Sequence, residues 1–131
     1  MKQVKILSQK TIKMDKGDVK KFITKNSKEY KGFGECYFSE IKKNSLKGWK
    51  KNLSTHQMLT VVSGSVIFYL IDERVKNKVK KYKILIDSNK NYKKLIVPKD
   101  IWYSFKNNSK HKSIIFNFIN IEHKKTKVIK K

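Results

Sequence analysis

Short stretches rich in β-branched and aromatic residues recur along this chain, and no stretch sustains a helical period. They are KGFGECYFSEI (31–41), QMLTVVSG (57–64), SVIFYLID (65–72), KVKKYKILID (78–87), KKLIVP (93–98), IWYSF (101–105) and SIIFNFINI (113–121). Val, Ile, Phe and Tyr suit a pleated, half-buried surface. Turn signals separate the runs: Lys47-Gly48, Ser63-Gly64, Ser88-Asn89, Pro98-Lys99-Asp100 and Asn107-Asn108-Ser109. Seven or more short strands at this spacing predict an all-β sandwich or barrel. No repeat, linker or change of composition divides the chain, so one domain over 1–131 is expected, with a frayed basic tail at 124–131.

Charge is the feature most open to misreading. Lys+Arg 33 against Asp+Glu 10 gives a net charge of +23, which ordinarily points to nucleic acid. Arg74 is the only arginine, however, and the lysines are spread along the whole chain. Sequence readers of nucleic acid favour arginine for its bidentate fork. The bias fits a lysine- and isoleucine-rich source composition, so no nucleic-acid partner is expected, although such a field attracts small anions. No run of about eighteen apolar residues is present, so no membrane span is expected. The lysine-studded start, MKQVKILSQKTIKM, lacks the apolar core of a signal peptide, and one cysteine, Cys36, precludes an internal disulfide. A cytoplasmic location is the expectation.

Two stretches resemble the paired metal-binding motifs of cupin barrels. The first motif reads H-x-H-x4-E-x6-G, and Lys50, Asn52, Gln57 and Gly64 stand at its intervals. The second reads P-x-G-x2-H-x3-N, and Pro98, Asp100, Tyr103 and Asn107 stand there. The turn-shaping glycine and proline are kept, while every ligand position is changed. Divalent metals need imidazole, thiolate or carboxylate donors, which these side chains do not supply. The expectation is a cupin jelly-roll barrel with a pocket, no metal and no cofactor. Alternation then turns Lys50, Asn52, Gln57, Leu59 and Val61 inward, with Lys51 outside and His56 outside or at the rim. Tyr103 enters from the opposite hairpin.

Residues 17–123 further resemble the small cupins of bacterial sugar-nucleotide pathways. The match runs through GDVKKFITKNSKEYKGFGECYFSEI (17–41), LKGWKKNLSTHQMLTVVSGSVIFYLIDER (46–74), LIVPKDIWYSFKN (95–107) and FNFINIEH (116–123). These cupins are the dTDP-4-dehydrorhamnose 3,5-epimerases and, more distantly, the dTDP-4-keto-6-deoxyhexose 3,4-ketoisomerases. The resemblance implies a homodimeric barrel that moves protons beside the ketone of a nucleotide-linked sugar, for surface polysaccharide or glycan synthesis. It places Lys47 in the phosphate-binding role of the R-G-x-H arginine and Lys50 at the catalytic histidine. The nucleotide-sugar strand falls on Phe33, Glu35, Tyr37 and Ser39, and the acid tyrosine falls on Phe116.

Each candidate carries two readings. Lys50 is either a base or carbonyl-polarising cation, or a lysine whose ammonium reaches the pocket mouth. Tyr103 is either a proton donor to an enolate or a core tyrosine bonded to Gln57 or Asn52. Asn52, Gln57 and Asn117 either bind sugar hydroxyls or satisfy one another. His56 and Trp102 are candidates for the rim, and Cys36 is expected to pack within its strand. Three functions stay open: a sugar-nucleotide epimerase or isomerase with catalytic residues Lys50 and Tyr103, a non-catalytic nucleotide-sugar binder, and a basic nucleic-acid-binding protein.

Overall fold

The structure is a computed structural model that describes residues 3–122 and 128–130. Twelve strands follow one another among the described residues: β1 (Lys5–Ser8), β2 (Thr11–Ile12), β3 (Val19–Lys20), β4 (Glu35–Ile41), β5 (Leu46–Asn52), β6 (Gln57–Ser63), β7 (Ser65–Asp72), β8 (Lys80–Asp87), β9 (Lys93–Val97), β10 (Trp102–Asn107), β11 (Ser113–Ile119) and β12 (Val128–Lys130). Two five-stranded sheets, ordered β1-β9-β6-β11-β4 and β12-β5-β10-β7-β8, carry the fold, and β2-β3 form a small ribbon. The pairings are antiparallel. This is the expected all-β jelly roll. Among the described residues no helix is long and apolar enough to cross a membrane.

The inner faces of the sheets meet in one core containing Ile41, Leu59, Val61, Phe68, Leu70, Ile86, Leu95, Phe105 and Ile115. The first sheet is also covered outside, where Phe22, Ile23 and Tyr30 pack on Met58, Ile96 and Phe118. That double cover explains why Gln57–Val61 is buried without alternation, as strands shielded on both faces tend to be. Within the outer layer the Lys94 ammonium lies 2.6 Å from Glu29 and 4.5 Å from the Phe22 ring centroid.

The two motif turns have structural causes. Gly64 joins β6 to β7 at φ +90°, and a Cβ there would collide with Ser113; only glycine fits both demands. Asn107 is buried, donating to the Ile41 and His111 carbonyls and accepting from Ser109 and Ser113. Its motif position therefore serves the turn.

Two expectations are corrected. The basic tail contributes β12, which pairs with β5 by Val128↔Asn52, Ile129↔Lys51 and Lys130↔Lys50; 123–127 and 131 lie outside the described residues. Cys36 does not pack within the barrel but is exposed on the outer side of β4. On β4 Glu35, Tyr37 and Ser39 face inward with Ile41 while Cys36, Phe38 and Glu40 face outward, leaving Phe38 65% exposed on a strand whose one partner among the described residues is β11.

Candidate functional site

The interior end of the barrel gathers polar side chains from both sheets. β4 is half-buried at Glu35, Tyr37 and Ser39 and buried at Ile41, which belongs to the core, so these four side chains face in. Tyr37 lies opposite Asn117 of β11 in the ladder, and directly opposed residues share a face. Asn117 Nδ2 donates to Ser39 Oγ at 3.2 Å, which satisfies this buried amide within the barrel wall. Gln57, 2% exposed, begins β6 beside them.

The facing sheet supplies Lys50 and Tyr103, which are direct partners in the β5–β10 ladder. Tyr103 lies in the core, so Lys50 shares its inward face. The register then shifts so that Gly48 opposes Ser104 and Lys47 opposes Phe105. The bulge leaves Lys47 and Lys50 on the same inner side despite their odd spacing. Lys51 and Trp102 pair on the outside: the Lys51 ammonium sits 4.6 Å from the Trp102 ring centroid, and Trp102 Nε1 donates to Glu73 at 3.0 Å. Trp102 therefore faces away from the inner group, among Lys51 and Glu73.

Electrostatics unite the inner group. Burial raises the Tyr103 pKa, partly offset by the Gln57 amide. Burial also raises that of Tyr37, joined by the neighbouring Tyr103 and the Glu35 carboxylate and opposed by Gln57. Both phenols are therefore protonated and available as donors near neutral pH. Two buried polar atoms here have no hydrogen-bond partner among the described residues: Gln57 Oε1 and Asn52 Nδ2. Native interiors leave few such atoms unfilled, and a bound polar ligand is one way to satisfy them. Asn52 divides its roles, since its Oδ1 accepts from the Ser54 and Thr55 amides and shapes the following turn.

β4 and β5 are not paired with each other, and a groove of about 890 Å³ runs there, lined by Phe38, Ser39, Glu40, Lys42, Ser45, Leu46 and Lys47. Tyr37, Glu35 and Lys50 are half-buried, whereas Tyr103, Gln57 and Asn117 lie deeper. Among the described residues no three His, Cys, Asp or Glu side chains cluster as a metal site would require.

The structure separates other candidates from this group. His56 is half-buried and lies outside the inward series of Gln57, Leu59 and Val61; burial lowers its pKa, as does the positive charge of Lys31. Phe116, at the position matched to the acid tyrosine, is on the outer face with its ring 4.9 Å from Phe22 and 5.4 Å from Phe38. The assignment of that position to the catalytic pocket is wrong, because its strand neighbours Ile115 and Asn117 face in. Glu35 and Tyr37, placed on the nucleotide-sugar strand by the resemblance, face inward, alternating with outward Phe38.

By sequence, no family model and no curated protein matches the chain. By structure, it superposes on a dTDP sugar isomerase from Desulfovibrio desulfuricans with TM-score 0.93 at 23% identity, covering 99% of this chain and 84% of that one. A dTDP-6-deoxy-D-glucose-3,5-epimerase from Legionella pneumophila, bound to dTDP-4-keto-L-rhamnose, matches with TM-score 0.78 at 18% identity, over 90% of this chain and 66% of that one. A 3,4-ketoisomerase from Thermoanaerobacterium thermosaccharolyticum, bound to TDP-4-keto-6-deoxyglucose, matches with TM-score 0.76 at 16% identity, over 98% and 88% respectively. At these identities the likeness establishes architecture: the chain folds as the cupin-type jelly roll also seen in these sugar-nucleotide isomerases and epimerases.

Proposed function

We propose that the protein catalyses metal-independent proton transfer beside the ketone of a dTDP-4-keto-6-deoxy sugar, as an epimerase or isomerase of cytoplasmic glycan synthesis. The observation that carries this reading is the register pairing of Lys50 with Tyr103 on the inner face. An ammonium and a protonated phenol brought to one spot suit a carbonyl oxygen that becomes an oxyanion. Such preorganised donors favour the enolate over the ketone, which lowers the barrier to removing the adjacent proton. Gln57 and Asn52 present an unfilled acceptor and an unfilled donor for sugar hydroxyls, and Lys47 lines the groove where a diphosphate would lie. Dimerisation belongs to the same proposal, through the exposed edge of β4.

The test is deuterium wash-in at C3 or C5 of dTDP-4-keto-6-deoxyglucose in D₂O. Lys50→Met removes the amine with little change of volume and is expected to abolish exchange with the thermal midpoint nearly unchanged. Tyr103→Phe is expected to slow exchange by about a hundredfold or more, the usual worth of a positioned acid. Elemental analysis of protein made without added metal is expected to find no stoichiometric zinc, iron, manganese or nickel. A second reading, a pocket that binds without turnover, draws on the outward placement of Phe116. Binding of dTDP with no exchange in any 4-keto-6-deoxy sugar would establish it.

A further inference from the structure

We propose that Glu35 is the general base of this site, an assignment that rests on the reaction class proposed above. Enolisation needs one group that takes a proton from carbon and others that hold the oxyanion. The inner face offers few bases. Lysine accepts a proton only as the neutral amine, and the two buried phenols hold theirs. Asp72, next along the inward series after Leu70, is gripped by Arg74 with Nε–Oδ1 and Nη2–Oδ2 both at 2.9 Å. That grip keeps its carboxyl below the usual carboxylate range and makes it a weak base. His56 stands outside the inward series.

Glu35 is the carboxylate of the inner face that a ligand in the pocket can reach. It opens β4 on the same inward face as Tyr37 and is half-buried, so a ligand can reach it. In the ladder it opposes Ile119, which also opposes Gln57 across β11, so Glu35 and Gln57 lie level in the sheet. Tyr37 lies within electrostatic reach of both Glu35 and Tyr103. Carboxylate, phenols, amide and ammonium thus occupy one end of the barrel, with base and oxyanion donors on facing sheets. A carboxylate base working with a tyrosine donor is a proven division of labour for moving a proton beside a ketone.

The step balances without a co-reactant. A Glu35 Oε takes the proton from the carbon beside C4, the C–H electron pair becomes the C=C bond, and the carbonyl π pair moves to O4. Tyr103 and Lys50 hold that oxyanion by hydrogen bond and charge. Return of the proton from the Glu35 carboxylic acid to C3 regenerates the 4-ketone, which is what exchange reads. Delivery to C4 instead, as O4 takes the Tyr103 proton and the O3 hydroxyl gives its proton to the Tyr103 phenolate, yields the 3-ketone isomer with both residues restored. Lys50 then serves as the electrophile, and the carboxylate does the work of the replaced histidine.

Glu35→Gln keeps the shape and removes the basicity, while Glu35→Asp keeps a shortened carboxylate. Both are compared with wild type for deuterium wash-in with dTDP-4-keto-6-deoxyglucose and, by calorimetry, for dTDP affinity. Expected are at least an approximately hundredfold loss of exchange in Glu35→Gln, a smaller loss in Glu35→Asp, and near-wild-type dTDP binding in both. Exchange at the wild-type rate in Glu35→Gln overturns the assignment and leaves the proposed reaction standing. Parallel loss of dTDP affinity and exchange overturns it in favour of a substrate-holding carboxylate. Loss of exchange in His56→Gln with Glu35→Gln active moves the base to His56. If Glu35→Gln does not fold, an equal rate in Glu35→Asp and wild type counts against the assignment, because a proton-abstracting carboxylate withdrawn by one methylene must slow. If wild type neither binds dTDP nor exchanges, the reaction class fails, and the base assignment with it.

Discussion

Removing Glu29 should destabilise the protein more than almost any other single change to its surface charges. Lys94 is 3% exposed at its side chain and Glu29 14%, with 2.6 Å between them. Glu29→Ala leaves the Lys94 ammonium buried without its carboxylate, and breaking a buried pair on one side costs about 3–5 kcal/mol. The Phe22 ring, 4.5 Å away, still offers the cation a favourable face, so the lower end, about 3 kcal/mol, is expected. For 131 residues, an unfolding entropy of about 2.1 cal/mol/K per residue converts this to a fall of about 11 °C in Tm. Burial pushes the Glu29 carboxyl up, but the Lys94 hydrogen bond and charge hold it below the usual carboxylate range. A depressed folded pKa contributes stability above the unfolded value, about 4.3, and loses it as pH falls through the folded one. The gap between wild type and variant should therefore narrow at strongly acid pH. Urea titrations at neutral and acid pH measure it. Glu29→Gln separates charge from packing, and Glu29→Leu with Lys94→Met should recover most of the loss. A neutral-pH difference below about 1 kcal/mol, within the range of an exposed ion pair, would refute the reasoning.

Gly64→Ala forces an L side chain into φ +90° and against Ser113, and a loss of about 1–3 kcal/mol is expected by thermal melt; an unchanged midpoint would show the turn can relax. Burial holds the His56 pKa below its ordinary value, so the folded state binds fewer protons and stability falls as pH drops through about 6.5 and below. His56→Leu should flatten that slope in melts between mildly acid and neutral pH, and an unaltered slope would remove His56 as its source. Light scattering is expected to show a dimer at micromolar protein that tightens with added salt, and Phe38→Lys should give monomers; a wild-type monomer at every ionic strength refutes the edge pairing.

The fold was legible because seven alternating or apolar runs matched seven strands to within a few residues. β5 escaped the pattern: LKGWKKN has almost no apolar signal, and only motif spacing located it. β1, β2, β3 and β12 are two to four residues long, too short for a period to register. Lys50, Gln57 and Tyr103 lie on the inner face, where the motif spacing turned them. Phe116 was matched to the acid tyrosine by family resemblance alone, and β11 carries apolar residues on both faces, so nothing in its own pattern showed that this position points outward. Asn107 reads as a ligand-type residue in sequence, yet its hydrogen bonds belong to a turn. On β4 a polar pocket reverses the usual rule, so hydrophobicity pointed outward.

That reversal bears on how the protein behaves in concentrated solution. A strand edge that no other described strand covers, displaying Phe38 at 65% and neighbouring Phe33 at 60% exposure, is a template for adding further strands, including ones that never close into a ring. Colloidal repulsion from the +23 charge opposes such growth before contact is made. Its reach shrinks to about 8 Å at physiological ionic strength and about 3 Å at 1 M salt. The lysine content can thus act as a brake on fibre formation, released by salt and strengthened by dilution of the buffer.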